Sequence, residues 1–316
     1  MPATARVFSV VILVLLGAMT VGSKMYAVSP PPDGGYAGGN TAEGYLSLGS
    51  LTSGSYNTAL GAYSLLSDTT ANFNTGVGAG TLFANTTAEE NTATGAGALF
   101  SHTTGNGNTA NGAFALISDT GGGFNTAVGD RALFSNTEGE TNSALGWSAL
   151  ASNTTGVANT AVGVGSLFSN TTGESNTATG NNALQSNTIG TDNTATGVGA
   201  LFGNTDGINK TATGAGALSN NTTGSNNTAS GFTALQNNTT AGANTATGFQ
   251  ALQLNTTGDS NTANGAGALS NNTTAGSNTA TGAFALFANT TGDGSTADGE
   301  GALASNVDGI RNTAIG

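Results

Sequence analysis

The chain has 316 residues, a net charge of -12 and no cysteine. Five Lys or Arg cannot build the basic patches that neutralise phosphates, so nucleic acid is excluded as a partner. Without Cys there are no disulfides, no thiolate metal sites and no lipid-attachment cysteine. Only 7% of the chain is charged, against about 25% in a typical soluble domain.

Residues 1–27 read as a signal peptide or N-terminal anchor. Arg6 precedes an uncharged run from Val7 to Ser23 whose apolar heart ends at Leu16, and Ser23 and Ala27 offer small-residue cleavage sites. An uncleaved anchor is the alternative, because so short a run sits at the lower edge of what spans a bilayer; a buried helix is a third reading. Residues 28–39 form a Pro/Gly-rich spacer, with Pro30, Pro31 and Pro32 making an extended, stiff stretch. No proline follows, as suits a stacked array that needs its backbone donors.

From Asn40 onward the chain repeats every 17 residues without insertion, giving 16 full units up to Asn312. Counting the first Asn as zero, position four is Gly in every unit (Gly61, Gly78, Gly95, Gly112). Position eight is Leu in every full unit (Leu65, Leu82, Leu99, Leu116, Leu133, Leu150). Position two is Ala except at Gly76, position one is Thr except at Ser143, and position eleven is usually Asn. One such unit cannot bury its own apolar face, so stacked units must share a long, narrow core. Leu and the two recurring Ala positions should point inward. The Asn residues should sit at corners, where their amides bond along the stack or satisfy turn backbone.

Thr and the residues after it favour a short strand at positions one to three. Positions five to ten, poor in β-branched residues, suggest a helical turn or a tight loop. The expected fold is therefore mainly β: a repeat solenoid of 17-residue coils over residues 40–316, with one short parallel strand per coil plus a compact turn. Helices would force curvature, because they need about 8–10 Å between axes where strands need about 4.8 Å. The array looks uncapped at its C-terminal end, and it is compatible with a single chain or an intertwined trimer.

Runs such as Asn91-Thr-Ala-Thr-Gly-Ala-Gly-Ala-Leu-Phe, followed by a Thr-Thr-Gly turn, resemble repeats of bacterial surface and tail-fibre-like proteins. More distantly they resemble the head repeats of trimeric autotransporter adhesins. The resemblance covers residues 40–316 and implies an extracellular fibre. Its implied partners are the chain itself, as a homotrimer, a C-terminal module not contained in this sequence, or a surface glycan or protein. Two features depart from it: the unit is longer than the usual adhesin-head repeat, and the chaperone and anchor domains lie outside this chain.

Candidate chemistry is sparse. His102, the single His, stands at position eleven with no partner set in view, and reads as a corner substitution. Trp147 reads as a surface aromatic, and Lys210 as drift at an Asn position. Glu89, Glu90, Glu138, Glu140, Glu174, Asp192, Asp206, Asp259 and Asp293 fall mainly in the turns and read as a solvated edge. Calcium-roll nonapeptides and EF-hand spacing are absent. Asn-Thr-Thr at Asn85, Asn153, Asn170 and Asn289 also spells a glycosylation acceptor, but it recurs with the turn. Gly95-Ala96-Gly97 lacks the phosphate-loop fingerprint. No catalytic, cofactor or metal site is expected.

The expected function is a non-enzymatic extracellular structural or adhesive fibre or stalk segment, secreted or on the cell surface by bacterial-type export. The alternative is a binding solenoid for a repetitive ligand, glycan or ice. Ice would need outward Thr ranks in a Thr-x-Thr arrangement, and the Thr-Ala order leads us to expect at most one outward Thr per strand. A glycan hydrolase would need paired carboxylates on one face, and none stands out.

Overall fold

The computed structural model describes residues 36–316. The leader and most of the Pro-rich spacer lie outside the described residues. Two compact units form, the first ending at Thr155 and the second spanning Gly156–Gly316. Both are built the same way, as a parallel β-solenoid with one three-residue strand per coil. Strands of the first unit run from Thr41–Glu43 to Ser143–Leu145, and those of the second from Thr160–Val162 to Thr313–Ile315.

Successive strands pair in parallel with an offset of one coil and no slip. Thr75, Gly76 and Val77 face Thr92, Ala93 and Thr94; Thr194, Ala195 and Thr196 face Thr211, Ala212 and Thr213. The backbone bonds run in both directions. Thr75 N–H donates to the Asn91 carbonyl in the next coil at 2.8 Å, while Gly78 N–H donates to Leu60 in the previous coil at 2.7 Å.

The core holds the expected side chains. Leu65, Leu82, Leu99, Leu116, Leu133 and Leu150 are fully buried, as are Ala93 and Ala98, which represent positions two and seven. The Asn residues at positions zero and eleven are also fully buried, for example Asn91, Asn136, Asn193 and Asn238. The interior is thus a row of Leu and Ala flanked by two rows of carboxamides, and those amides close the turns as well as fill them.

The turn is not helical. Apart from a single 3₁₀ turn at Ala37–Gly39, the described residues contain no helix, so nothing obliges neighbouring coils to splay apart. Two left-handed residues at positions six and eight tighten the bend instead. Every position-eight Leu takes a positive φ, such as 50° at Leu65 and 51° at Leu116. A left-handed residue with a Cβ costs about 1–2 kcal/mol. Burying a Leu gains about 1.5–3 kcal/mol, and the Leu65 N–H also reaches Thr81 O in the next coil at 2.9 Å. Filling the core therefore outweighs the local preference for Gly or Asn.

Position four admits only Gly. Gly61, Gly78, Gly95 and Gly112 have φ between 115° and 148°, outside the range of L side chains. A Cβ on Gly95 would lie 2.7 Å from the carbonyl of Gly112, one coil on. The bend and the close stacking demand the same residue.

Candidate functional site

Two arrangements carry chemistry: the amide ladders inside the coils and the strand face outside them. In the ladder at position zero, the Asn Oδ1 accepts the backbone N–H of the residue one coil later and Nδ2 reaches a carbonyl fourteen residues ahead, save at Asn278, whose Nδ2 has no partner. Asn57 illustrates both: its Oδ1 accepts Asn74 N–H at 2.9 Å, and its Nδ2 donates to Ala71 O at 2.8 Å. At position eleven the amides bond one another. Asn187 Nδ2 donates to Asn170 Oδ1 at 2.7 Å, and Asn238 Nδ2 to Asn221 Oδ1 at 2.7 Å. A further row forms at position twelve, where Thr188 Oγ1 donates to Thr205 O at 3.1 Å. Buried polar groups need such partners, because each one left unpaired costs about 1–3 kcal/mol.

The ionisable departures all sit in these ladders. His102 and Asp119 occupy position eleven of adjacent coils, both fully buried, with His102 Nδ1 2.6 Å from Asp119 Oδ2. The other His102 nitrogen lies 2.5 Å from Gly105 O, and Asn136 Nδ2 donates to Asp119 Oδ1 at 2.7 Å. Burial holds the Asp119 carboxyl above its usual range, against the hydrogen bond and charge of His102, which pull it down. The sequence reading gave His102 no partner. Its partner stands seventeen residues away, visible only when like positions are compared.

Asp68, another position-eleven departure, was missed for the same reason. It is fully buried; its Oδ1 accepts Ala71 N–H at 3.0 Å and its Oδ2 has no partner. Burial pushes its pKa up to about 6. Lys210 replaces the position-zero Asn and is 1% exposed. Its Nζ donates to Gly224 O at 3.1 Å and to Asn204 Oδ1. Burial pulls its pKa down to about 7, and the neighbouring Asp206 charge opposes this. None of these groups is open to a solute.

On the outside, the acidic turn residues Glu90, Glu138, Glu140, Glu174, Asp192, Asp206, Asp259 and Asp293 are exposed, and Glu89 is half-buried. Asp259 and Asp293 accept the turn N–H groups of Gly242 and Gly276, each at 2.7 Å. Among the described residues no group of three or more His, Asp or Glu could hold a metal ion. Trp147 is exposed.

The strand face corrects the sequence reading. Because Ala at position two points inward, positions one and three both point outward. In every strand from Thr177–Thr179 to Thr279–Thr281 the first and third residues are exposed and the middle Ala is buried. These strands therefore present two outward ranks rather than one. The first rank is Thr throughout; the second is Thr except for Ser230 and Asn264. The first unit differs, placing Leu60, Val77, Val128 and Leu145 at position three. A scan against protein-family models and a search of curated proteins find no match for the chain.

Proposed function

We propose that the chain is a non-enzymatic structural or adhesive element, a stalk or fibre segment that works outside the cell. The observation that carries this reading is the uniformity of the coils. The residues that put ionisable chemistry into the ladder positions, Asp68, His102, Asp119 and Lys210, are all buried, so none of them is offered to a solute. What remains outside is periodic, so contacts made by this surface repeat along the stack. The Leu row is closed within one chain, so a homotrimer, a C-terminal module or a surface glycan or protein would engage the outer faces.

Excision of one whole coil tests the reading. Deleting residues 74–90 joins Phe73 to Asn91 in register and shortens the first unit by one rung, about 4.8 Å. A bacterial host carrying the full chain should display both lengths to protease added outside intact cells. The purified protein should show no glycan hydrolysis. Retention inside the cell, or turnover of a polysaccharide by the purified chain, would overturn the proposal.

The exposed Thr ranks favour a second reading, in which the second unit binds a repetitive ligand.

A further inference from the structure

We infer that the strand face between Thr177–Thr179 and Thr279–Thr281 is an ice-binding surface. It goes beyond a stalk role and stands whether or not the chain is a fibre. Three observations carry it.

The first is the lattice. Like residues lie in register from coil to coil, as in the pairing of Thr211, Ala212 and Thr213 with Thr228, Ala229 and Ser230. The two ranks therefore form a rectangular grid of about 4.8 Å along the stack and about 6.6 Å along the strand. Both repeats lie near the spacings between water molecules on the prism faces of hexagonal ice. Seven strands carry this grid over about 30 Å.

The second is that the hydroxyls are unspent. The Thr at position twelve gives its hydroxyl to the next coil, as Thr239 does to Thr256 O at 3.1 Å. None of the hydroxyls on the strand face between Thr177 and Thr281 bonds another protein group. Each is free to hold a water, while its neighbouring methyl restricts the water beside it. Thr is stiff at χ1, so little side-chain entropy is lost when the grid meets a solid.

The third is the segregation of charge. Positions one, three and five of these seven strands carry no charged residue, and the first in the series beyond them are Asp298 and Glu300. The acidic side chains of the same coils, Asp192, Asp206, Asp259 and Asp293, lie in the turns. An exposed charge organises its own hydration shell and would disrupt an ordered layer. A polysaccharide, the competing occupant, calls for a groove and a run of stacking platforms; beside the seven strands the one stacked aromatic pair is Phe232 and Phe249 at position five, whereas the small hydroxyls repeat in every coil.

The test uses the purified full chain in water frozen slowly onto a cold surface. The fraction taken into ice is measured against the fraction left in liquid, alongside the gap between melting and freezing points. The chain should be enriched in ice. Thr213→Lys, at the centre of the grid, should lower the enrichment by about tenfold, and Thr247→Lys should act alike. Ile208→Lys, which adds the same charge on an exposed turn, should behave as the unaltered chain. Circular dichroism of each variant establishes that the coils are intact. Rejection of the chain into the liquid would overturn the assignment, and so would folded Thr213→Lys and Thr247→Lys that enter ice like the parent. Rejection from ice together with Thr213-dependent capture on chitin or cellulose would pass the face to a polysaccharide.

Discussion

Lys210 is the place where one substitution should improve the protein most, and the reason can be worked through atom by atom. It breaks two ladders. Lacking an Oδ1, it offers no acceptor to Asn227 N–H, whereas Asn227 itself serves Asn244 N–H at 2.9 Å. Its ammonium also takes Asn204 Oδ1, so Asn221 Nδ2 turns only to Gly224 O at 2.9 Å. Burial lowers the folded pKa from 10.5 to about 7. A lowered Lys pKa means that the unfolded chain binds the extra proton more tightly, so stability rises with pH between about 7 and 10.5. At pH 7 the resulting penalty is about 4 kcal/mol, and at pH 10 it has fallen to about 1 kcal/mol. Lys210→Asn should remove that penalty and restore two rungs worth about 1 kcal/mol each. The second unit contains no Tyr and no His, so Lys210 is its one side chain that titrates in this window. Urea unfolding of parent and variant at pH 7, 8.5 and 10 should show a gain of about 4–6 kcal/mol that shrinks to about 2–3 kcal/mol. A gain independent of pH, or a loss of stability at pH 7, would refute the argument.

Asp68→Asn should act with the opposite pH sign. The raised carboxyl pKa, from 3.8 to about 6, means that parent stability falls as pH rises through that window. The variant should exceed the parent by about 3 kcal/mol at pH 7 and match it below pH 4 in denaturant titrations of the first unit. Leu184→Ala should cost about 2–5 kcal/mol, because the side chain is fully buried and its neighbours are fixed by ladders that resist collapse. Gly197→Ala should do more damage than its size suggests: φ is 135° and the new Cβ would lie 2.6 Å from Gly214 C. Hydrogen exchange should show coils around it opening while distant coils keep their protection.

Much of the architecture was legible because a period repeated so often forces like residues into like environments. The period alone places Leu65 inside the coil and Asn91 at a corner; that the corner amide is fully buried is seen only in the structure. The conformation of the turn was not legible. A left-handed residue is ordinarily read from Gly or Asn, and here Leu116 takes that backbone to fill the core. His102 and Asp119 were hidden by distance along the chain, although the repeat places them one above the other. The outward pair Thr211 and Thr213 was misjudged by reading the strand as an order of letters. Strand alternation around the buried Ala212 puts both on one side.

The position-eleven row has one further property. From Asn238 to Asn289 each amide donates to the residue one coil earlier and accepts from the one after, through Asn255 and Asn272, and Asn306 donates to Asn289 in the same sense. All these amide dipoles therefore point the same way, and each polarises the next. The row behaves as a small electret, donor-rich toward one side and acceptor-rich toward the other. A coil inserted upside down would set donor against donor, so the row enforces direction as well as spacing. It also sets a field along the core, which any ionisable group placed there has to meet.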